Sequence, residues 1–406
     1  MAELPAHVTA AAPTVAELPA HVTAAAPTVA ELPAHVTGAL RRLPAPVCAY
    51  LYDTQALRAA AGRLRAALPP TTTILYAVKA NGHPIVIRTL ARACDGLEVA
   101  SHGELQLALD AGARRIAFGG PAKTDAELAA AVHAGALLNV ESTHELNRLA
   151  GLGLHADICL RVNRPGPALA GSHTMTGTPT PFGIDAAQLG TVLTGIPPGL
   201  RVIGFHLHAV SNNLDGTAHA DFLTEAITWS TATAAAHDID LRVVNAGGGL
   251  GVDYLTTASI DLTPLSRVTV PRGVELIVEP GRYLTADAGW YAAEVLDLKT
   301  THGRTFAVLR GGTHHFRLPA AWGYSHPFTV LPIDTWDRPY PRPAVTGTAI
   351  DAVGELCTPR DVLTRNQHVD SLRAGDLLVF GRAGAYGWDI SHHDFLRHDP
   401  PEFVLL

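Results

Sequence analysis

TILYAVKAN (residues 73–81) is a short apolar, β-branched run that stops abruptly at a lysine. Seven further runs repeat the pattern: GLEVAS (96–101), RIAFGG (115–120), LLNVES (137–142), ICLRVN (158–163), VIGFHLHAVS (202–211), RVVNAGG (242–248) and ELIVEP (275–280). Alanine- and leucine-rich stretches of helical period separate most of them, such as ELQLALDAG (104–112) and DAELAAAVHAG (125–135). Eight strands alternating with helices predict an α/β fold, a (β/α)8 barrel. Polar or glycine residues gather just past the strands: Lys79, Ser101, Gly119, Glu141, Asn163, His208, Gly247 and Glu279. A barrel builds its active site at those strand ends.

Outward from this core the rhythm changes. After about residue 290 short strands and turns replace helices, as in WYAAEVLDLKT, TFAVLRGG, VTGTAIDAV and LLVFGRAGAYG. This predicts a C-terminal β-domain over 290–406, joined by the strand-like APVCAYLYD (45–53) from an N-terminal segment, 37–69, with the barrel spanning 70–289. At the other end, AELPAHVTAAAPTV occurs at 2–15 and 16–29, and AELPAHVT recurs at 30–37. Each full copy carries two prolines, which excludes a continuous helix. Residues 1–36 are expected to be a loosely packed extension whose last copy merges into the folded body of the chain.

Composition excludes several classes. A net charge of −7 with mixed signs argues against nucleic acid as the partner. No apolar run reaches membrane-spanning length. The cysteines at 48, 94, 159 and 357 form no C-x-x-C pair, which speaks against zinc and against a disulfide framework and predicts a reducing cytoplasm.

Alone, Lys79 reads as a snorkelling lysine at a strand end. Other features change that reading. Asn245-Ala-Gly-Gly-Gly-Leu-Gly251 follows a strand, and its backbone N–H groups can cradle a phosphate, although its spacing is wrong for a dinucleotide fingerprint. Glu279-Pro-Gly-Arg282 sets an anion beside a cation, and Gly384-Ala-Tyr-Gly387 adds a phenol in a tight turn. An amine, a phosphate cradle and a buried carboxylate together suit pyridoxal 5'-phosphate.

In order, YAVKAN, GLEVASHGEL, GFHLHAVS, NAGGGLG, EPGRYL, C-x-x-x-D and GAYG resemble the fold type III, alanine-racemase-like pyridoxal-phosphate decarboxylases, which include those of ornithine, arginine and diaminopimelate. The resemblance covers roughly residues 40–406. It implies a homodimer with shared active sites. By position it makes Lys79 the Schiff-base lysine and lays His208 on the cofactor ring. It pairs Glu279 with the pyridine nitrogen. Ser211, Gly248, Gly249, Gly281, Arg282 and Tyr386 would hold the phosphate. Cys357, from the other subunit, would return a proton after carbon dioxide leaves. Val210 departs from the His-Ile-Gly-Ser pattern of the family, where a glycine precedes the phosphate-binding serine. Glu98 matches an acidic position near the cofactor. His206 shares the strand face of His208.

Relatives acting on free diamino acids carry an acidic residue after the cysteine; here it is Thr358, with Arg360 close by. A hydroxyl and a guanidinium suit a distal carboxylate or amide better than a distal ammonium. LRGGTHHFRLPAAW (309–322), SNNLD (211–215) and GAYGWDISHHDFLRHDPPEF (384–403) resemble the branch of carboxylate-siderophore (staphyloferrin B-like) assembly, whose substrate is citryl-2,3-diaminopropionate. Arg317, Arg360, His314 and His315 are the expected readers of citryl carboxylates. The alternatives are decarboxylation of a free diamino acid or of a carrier-bound amino acid, racemisation on the same fold, and a cofactor-free binding homologue.

Overall fold

The computed structural model describes residues 31–165 and 169–406; the first two repeats lie outside the described residues. The third copy packs. After Pro33, Ala34–Leu40 form helix α1, and Val36, Ala39 and Leu40 are buried in an apolar cluster with Leu51, Ala292 and Val379. Strand β1 (Cys48–Tyr52) follows and is buried along its whole length.

Eight strands then build one sheet: β2 (Thr73–Ala77), β3 (Gly96–Val99), β4 (Ile116–Phe118), β5 (Leu137–Val140), β6 (Ala156–Asn163), β7 (Leu200–His206), β8 (Val243–Asn245) and β9 (Glu275–Val278). Each pairs in parallel with its successor, and β9 returns to β2 through Ile277↔Thr73 and Val278↔Ile74, so the sheet closes. This is the predicted barrel. Its interior holds a small cluster of Leu75, Ala117, Cys159, Ile203, Val243 and Ile277. Opposite-facing residues such as Ile74, Tyr76 and Leu97 pack into the larger core. Burying each large apolar side chain contributes about 1.5–3 kcal/mol.

Several strand-end polar residues turn out to build the scaffold. Ser101, Thr124 and Ser142 each accept the backbone N–H three residues on and cap the helices that follow. Each cap stabilises by about 1 kcal/mol. Glu141 accepts from the N–H groups of Gly120 and Gly183 and from Arg161, knitting three loops at the C-terminal end of the barrel.

A mixed sheet follows: β10 (Gly289–Thr301), β11 (Arg304–Leu309), β12 (Phe328–Leu331), β13 (Ala344–Val353), β14 (Val362–Arg373), β15 (Leu377–Phe380) and β16 (Glu402–Leu405). Its spine is β10, which pairs antiparallel with β1, β11 and β15. β16 runs parallel to β1 on the other side. The antiparallel pair β13–β14 is joined by the turn 354–361, which carries Cys357, Thr358 and Arg360. Two bonds pin the sheet domain to the end of β2: the Tyr386 N–H donates to the Ala80 carbonyl at 2.7 Å, and the Asn81 amide donates to the Gly384 carbonyl at 2.9 Å.

Candidate active site

Lys79 sits in a single 3-10 turn directly after β2, and its ammonium donates to Glu98 of β3 at 2.6 Å. Glu98 is 95% buried, whereas the Lys79 side chain is 45% exposed at the barrel's open end. Burial disfavours the charge on Lys79, but Glu98, followed by Tyr386 and Glu279, outweighs it and holds the amine above the ordinary lysine range. Burial pushes the Glu98 carboxyl up, against the pull of Lys79.

Glu279 lies just past β9. Its Oε1 accepts from the Asn245 amide at 2.6 Å and from the Asn139 amide at 3.5 Å. His206 Nε2 lies 3.4 Å from its other oxygen. Burial opposes ionisation, but His206 and Lys79 prevail and hold Glu279 well below the usual carboxylate range. Neither His206 ring nitrogen completes a hydrogen bond among the described residues.

His208 is fixed by the glycine-rich loop. The Gly248 N–H donates to its Nδ1 at 3.0 Å, which places the ring proton on Nε2. Burial, then Arg161 and Lys79, push its pKa well below the ordinary value, so the ring is neutral. Gly248 admits no side chain: a Cβ would lie 2.6 Å from the Glu279 carbonyl.

Arg282 follows Glu279 and is 95% buried. Its guanidinium lies 4.1 Å from the Trp322 ring centroid and 4.6 Å from that of Tyr386, and it donates to the Tyr254 hydroxyl at 2.8 Å. Among the described residues it makes no ion pair with a carboxylate. A buried cation so placed calls for an anionic ligand. Ser211 holds the chain from behind: its carbonyl accepts the Ser172 N–H. The valine before it is accommodated by Gly171, where a side chain would collide with the buried Val210.

The residues expected to read the substrate divide. Arg317, Thr358 and Arg360 come together in one groove of about 1140 Å³, along with Arg365, His392 and Tyr324. Lys79, Glu279 and Arg282 do not line it. None of its three arginines makes an ion pair among the described residues, and no carboxylate lines the groove. Cys357, beside Thr358, is exposed. His314 and His315 depart from expectation: both are wholly buried and neither lines the groove. His314 lies 3.5 Å from Glu355, and His315 Nδ1 lies 3.3 Å from the Cys48 sulfur. Both follow Thr313, which does line the groove.

Asn245, Tyr254, Trp322 and Arg365 were not singled out from the sequence. Asn245 could have been, since it ends β8 as Glu279 follows β9, one strand over. The three rings around Arg282 come from distant segments and share no local pattern.

The first constellation suits a ligand with an aldehyde for the Lys79 amine, a basic ring nitrogen for Glu279 and a phosphate for Arg282. Comparison with known proteins agrees. The family profile described as "Pyridoxal-dependent decarboxylase, pyridoxal binding domain" matches residues 54–286. The chain is 40% identical over 384 residues to 2-[(L-alanin-3-ylcarbamoyl)methyl]-2-hydroxybutanedioate decarboxylase of Staphylococcus aureus, covering 89% of this chain and 94% of the relative. It is 30% identical to L-glutamyl-[BtrI acyl-carrier protein] decarboxylase of Niallia circulans, covering 88% of each chain. Diaminopimelate decarboxylase from Helicobacter pylori, solved with L-lysine, superposes with a TM-score of 0.76 at 26% identity, covering 88% of this chain and 90% of that one.

Proposed function

Because the chain belongs to the pyridoxal-dependent decarboxylases, with pyridoxal phosphate as cofactor, we propose that it decarboxylates citryl-2,3-diaminopropionate to citryl-diaminoethane in assembly of a carboxylate siderophore. The 40% identical relative is named for that chemistry, a hydroxy-tricarboxylate joined through an amide to the side chain of an amino acid. The observation that carries the reading in this chain is the groove of Arg317, Arg360 and Arg365, free of carboxylates, with Thr358 where a diamino-acid enzyme needs an anion. Three guanidiniums suit the carboxylates of the citryl end.

Bound pyridoxal phosphate supplies the electron sink that accepts the pair released as carbon dioxide leaves. The protein's own residues do the rest. Lys79 offers the amine that holds the aldehyde. Glu279, kept ionised, holds a proton on the ring nitrogen. His208, neutral and locked by Gly248, gives the ring a flat face. Arg282 holds the phosphate with Ser211, Gly248, Gly249, Gly281 and Tyr386. Cys357 returns a proton to the α-carbon. Cys357 is exposed on a turn of the sheet domain, and the groove lined by its neighbour Thr358 excludes Lys79, which supports a homodimer in which each copy lends this turn to the other's barrel. Four free cysteines support a reducing compartment, the cytoplasm, and no helix among the described residues is long and apolar enough to cross a membrane.

The test is a substrate panel read by carbon dioxide release: citryl-diaminopropionate, ornithine, lysine, diaminopimelate and glutamate on a carrier protein. Citryl-diaminopropionate is expected to give the highest kcat/KM. Preference for ornithine would defeat the reading of Thr358, and preference for the carrier-bound substrate would move the protein to the other conjugated-substrate branch.

A further inference from the structure

Asp361 is 98% buried, and among the described residues it makes no ion pair. Its carboxylate is satisfied by backbone alone. Oδ1 accepts from the Thr313 N–H at 2.6 Å, and Oδ2 accepts from the Leu356 N–H at 2.8 Å. Its own backbone closes the same turn: its N–H donates to the Thr358 carbonyl at 3.2 Å, and its carbonyl accepts from the Gly354 N–H at 2.9 Å. The fit leaves no slack. A Cβ on Gly312 would lie 2.6 Å from either carboxylate oxygen, and one on Gly354 would overlap the carboxylate.

The two segments it joins are the two walls of the groove. Thr313 and Arg317 belong to the segment after β11, and Thr358 and Arg360 to the turn between β13 and β14. Cys357 stands between Leu356, which Asp361 holds, and Thr358, which it also holds. A buried carboxylate bound only to N–H groups from both walls sets their spacing and the direction of the thiol together.

We infer that Asp361 is a positioning residue: it locks the Cys357 turn to the Arg317 wall, coupling proton return to recognition of the distal end of the substrate. This rests on the groove being the substrate's distal subsite.

Asp361→Asn in the holoenzyme tests it. The amide is isosteric, but its NH2 must face one of the two N–H donors, so one wall is released. Three quantities are read: the visible absorbance of bound cofactor, KM, and the amine formed per carbon dioxide released. The absorbance is expected to match wild type, since Lys79 and Arg282 are untouched. KM is expected to rise about tenfold and the amine ratio to fall below one, as misplacements on the scale of an ångström do to reacting groups. Gly354→Ala, which crowds the carboxylate without changing its charge, is expected to shift KM and the ratio in the same direction. A folded Asp361→Asn protein with wild-type KM and ratio overturns the inference. If neither variant folds, Asp361 is a stability residue and the inference also fails. The ratio is measured on whichever amino acid the wild type decarboxylates, so failure of the citryl reading, seen in wild-type turnover, stays separate.

Discussion

The side-chain amide of Asn245, at the end of β8, donates to Glu279, just past β9, at 2.6 Å. Two neighbouring strands thereby fix the anion that faces Lys79 and His206 and keep it ionised. Asn245→Asp sets a second carboxylate against it, and like charges at this distance force one to protonate. We expect kcat to fall on the order of a hundredfold, the usual cost of losing an orienting partner. Steady-state kinetics check this; an unchanged kcat would mean that the charge state of Glu279 does not matter.

Lys79→Ala is expected to abolish turnover and the absorbance band near about 420 nm of bound pyridoxal phosphate. Glu98 gives a subtler outcome. It holds the Lys79 amine above its ordinary pKa, and only the unprotonated amine captures an aldehyde. Glu98→Gln lowers that pKa, so at pH 7 its apoprotein should capture cofactor faster, about tenfold per pKa unit removed. The advantage should vanish at a pH above both amine pKa values. Equal capture rates at neutral pH would remove Glu98 from this role.

Arg282→Met removes the caged cation while keeping a side chain that packs against Trp322 and Tyr386. Loss of a charge-assisted bond to phosphate costs about 2–3 kcal/mol, so the Kd for pyridoxal phosphate should rise roughly a hundredfold. Titration of apoprotein measures it. A Kd within a factor of two or so of wild type would place the phosphate elsewhere.

If each copy lends its Cys357 turn to the other's barrel, Lys79→Ala and Cys357→Ala chains are each impaired alone but complement when mixed. Half of the resulting dimers contain one site with both residues intact, so activity should recover to about a quarter of wild type. No recovery, with subunit exchange verified, would confine each site to a single chain.

What the sequence disclosed follows from where its signals live. Lys79, Glu279 and the glycine-rich loop end apolar runs, and a closed parallel barrel brings every such end to one rim. Strand-end polarity alone does not separate chemistry from capping: Ser101 is a helix cap and Glu141 a loop tie. His314 and His315 sit in a segment without periodicity, so nothing in LRGGTHHFRLPAAW says which side chains face inward. Arg365 is one exposed arginine on β14, and only the fold sets it beside Arg317 and Arg360. Asp361 was visible as part of C-x-x-x-D, but its task depends on Thr313, nearly fifty residues earlier.

The arginine groove belongs to the sheet domain, while the amine, the anion and the caged guanidinium sit in or beside the barrel. If the groove reads the distal end of the substrate, as we propose, mutations in the turn between β13 and β14 can redirect the enzyme to another amino-acid conjugate while the barrel's chemistry stays under unrelaxed selection. On that reading, a lineage exchanges substrates by rewriting a handful of codons on one surface turn.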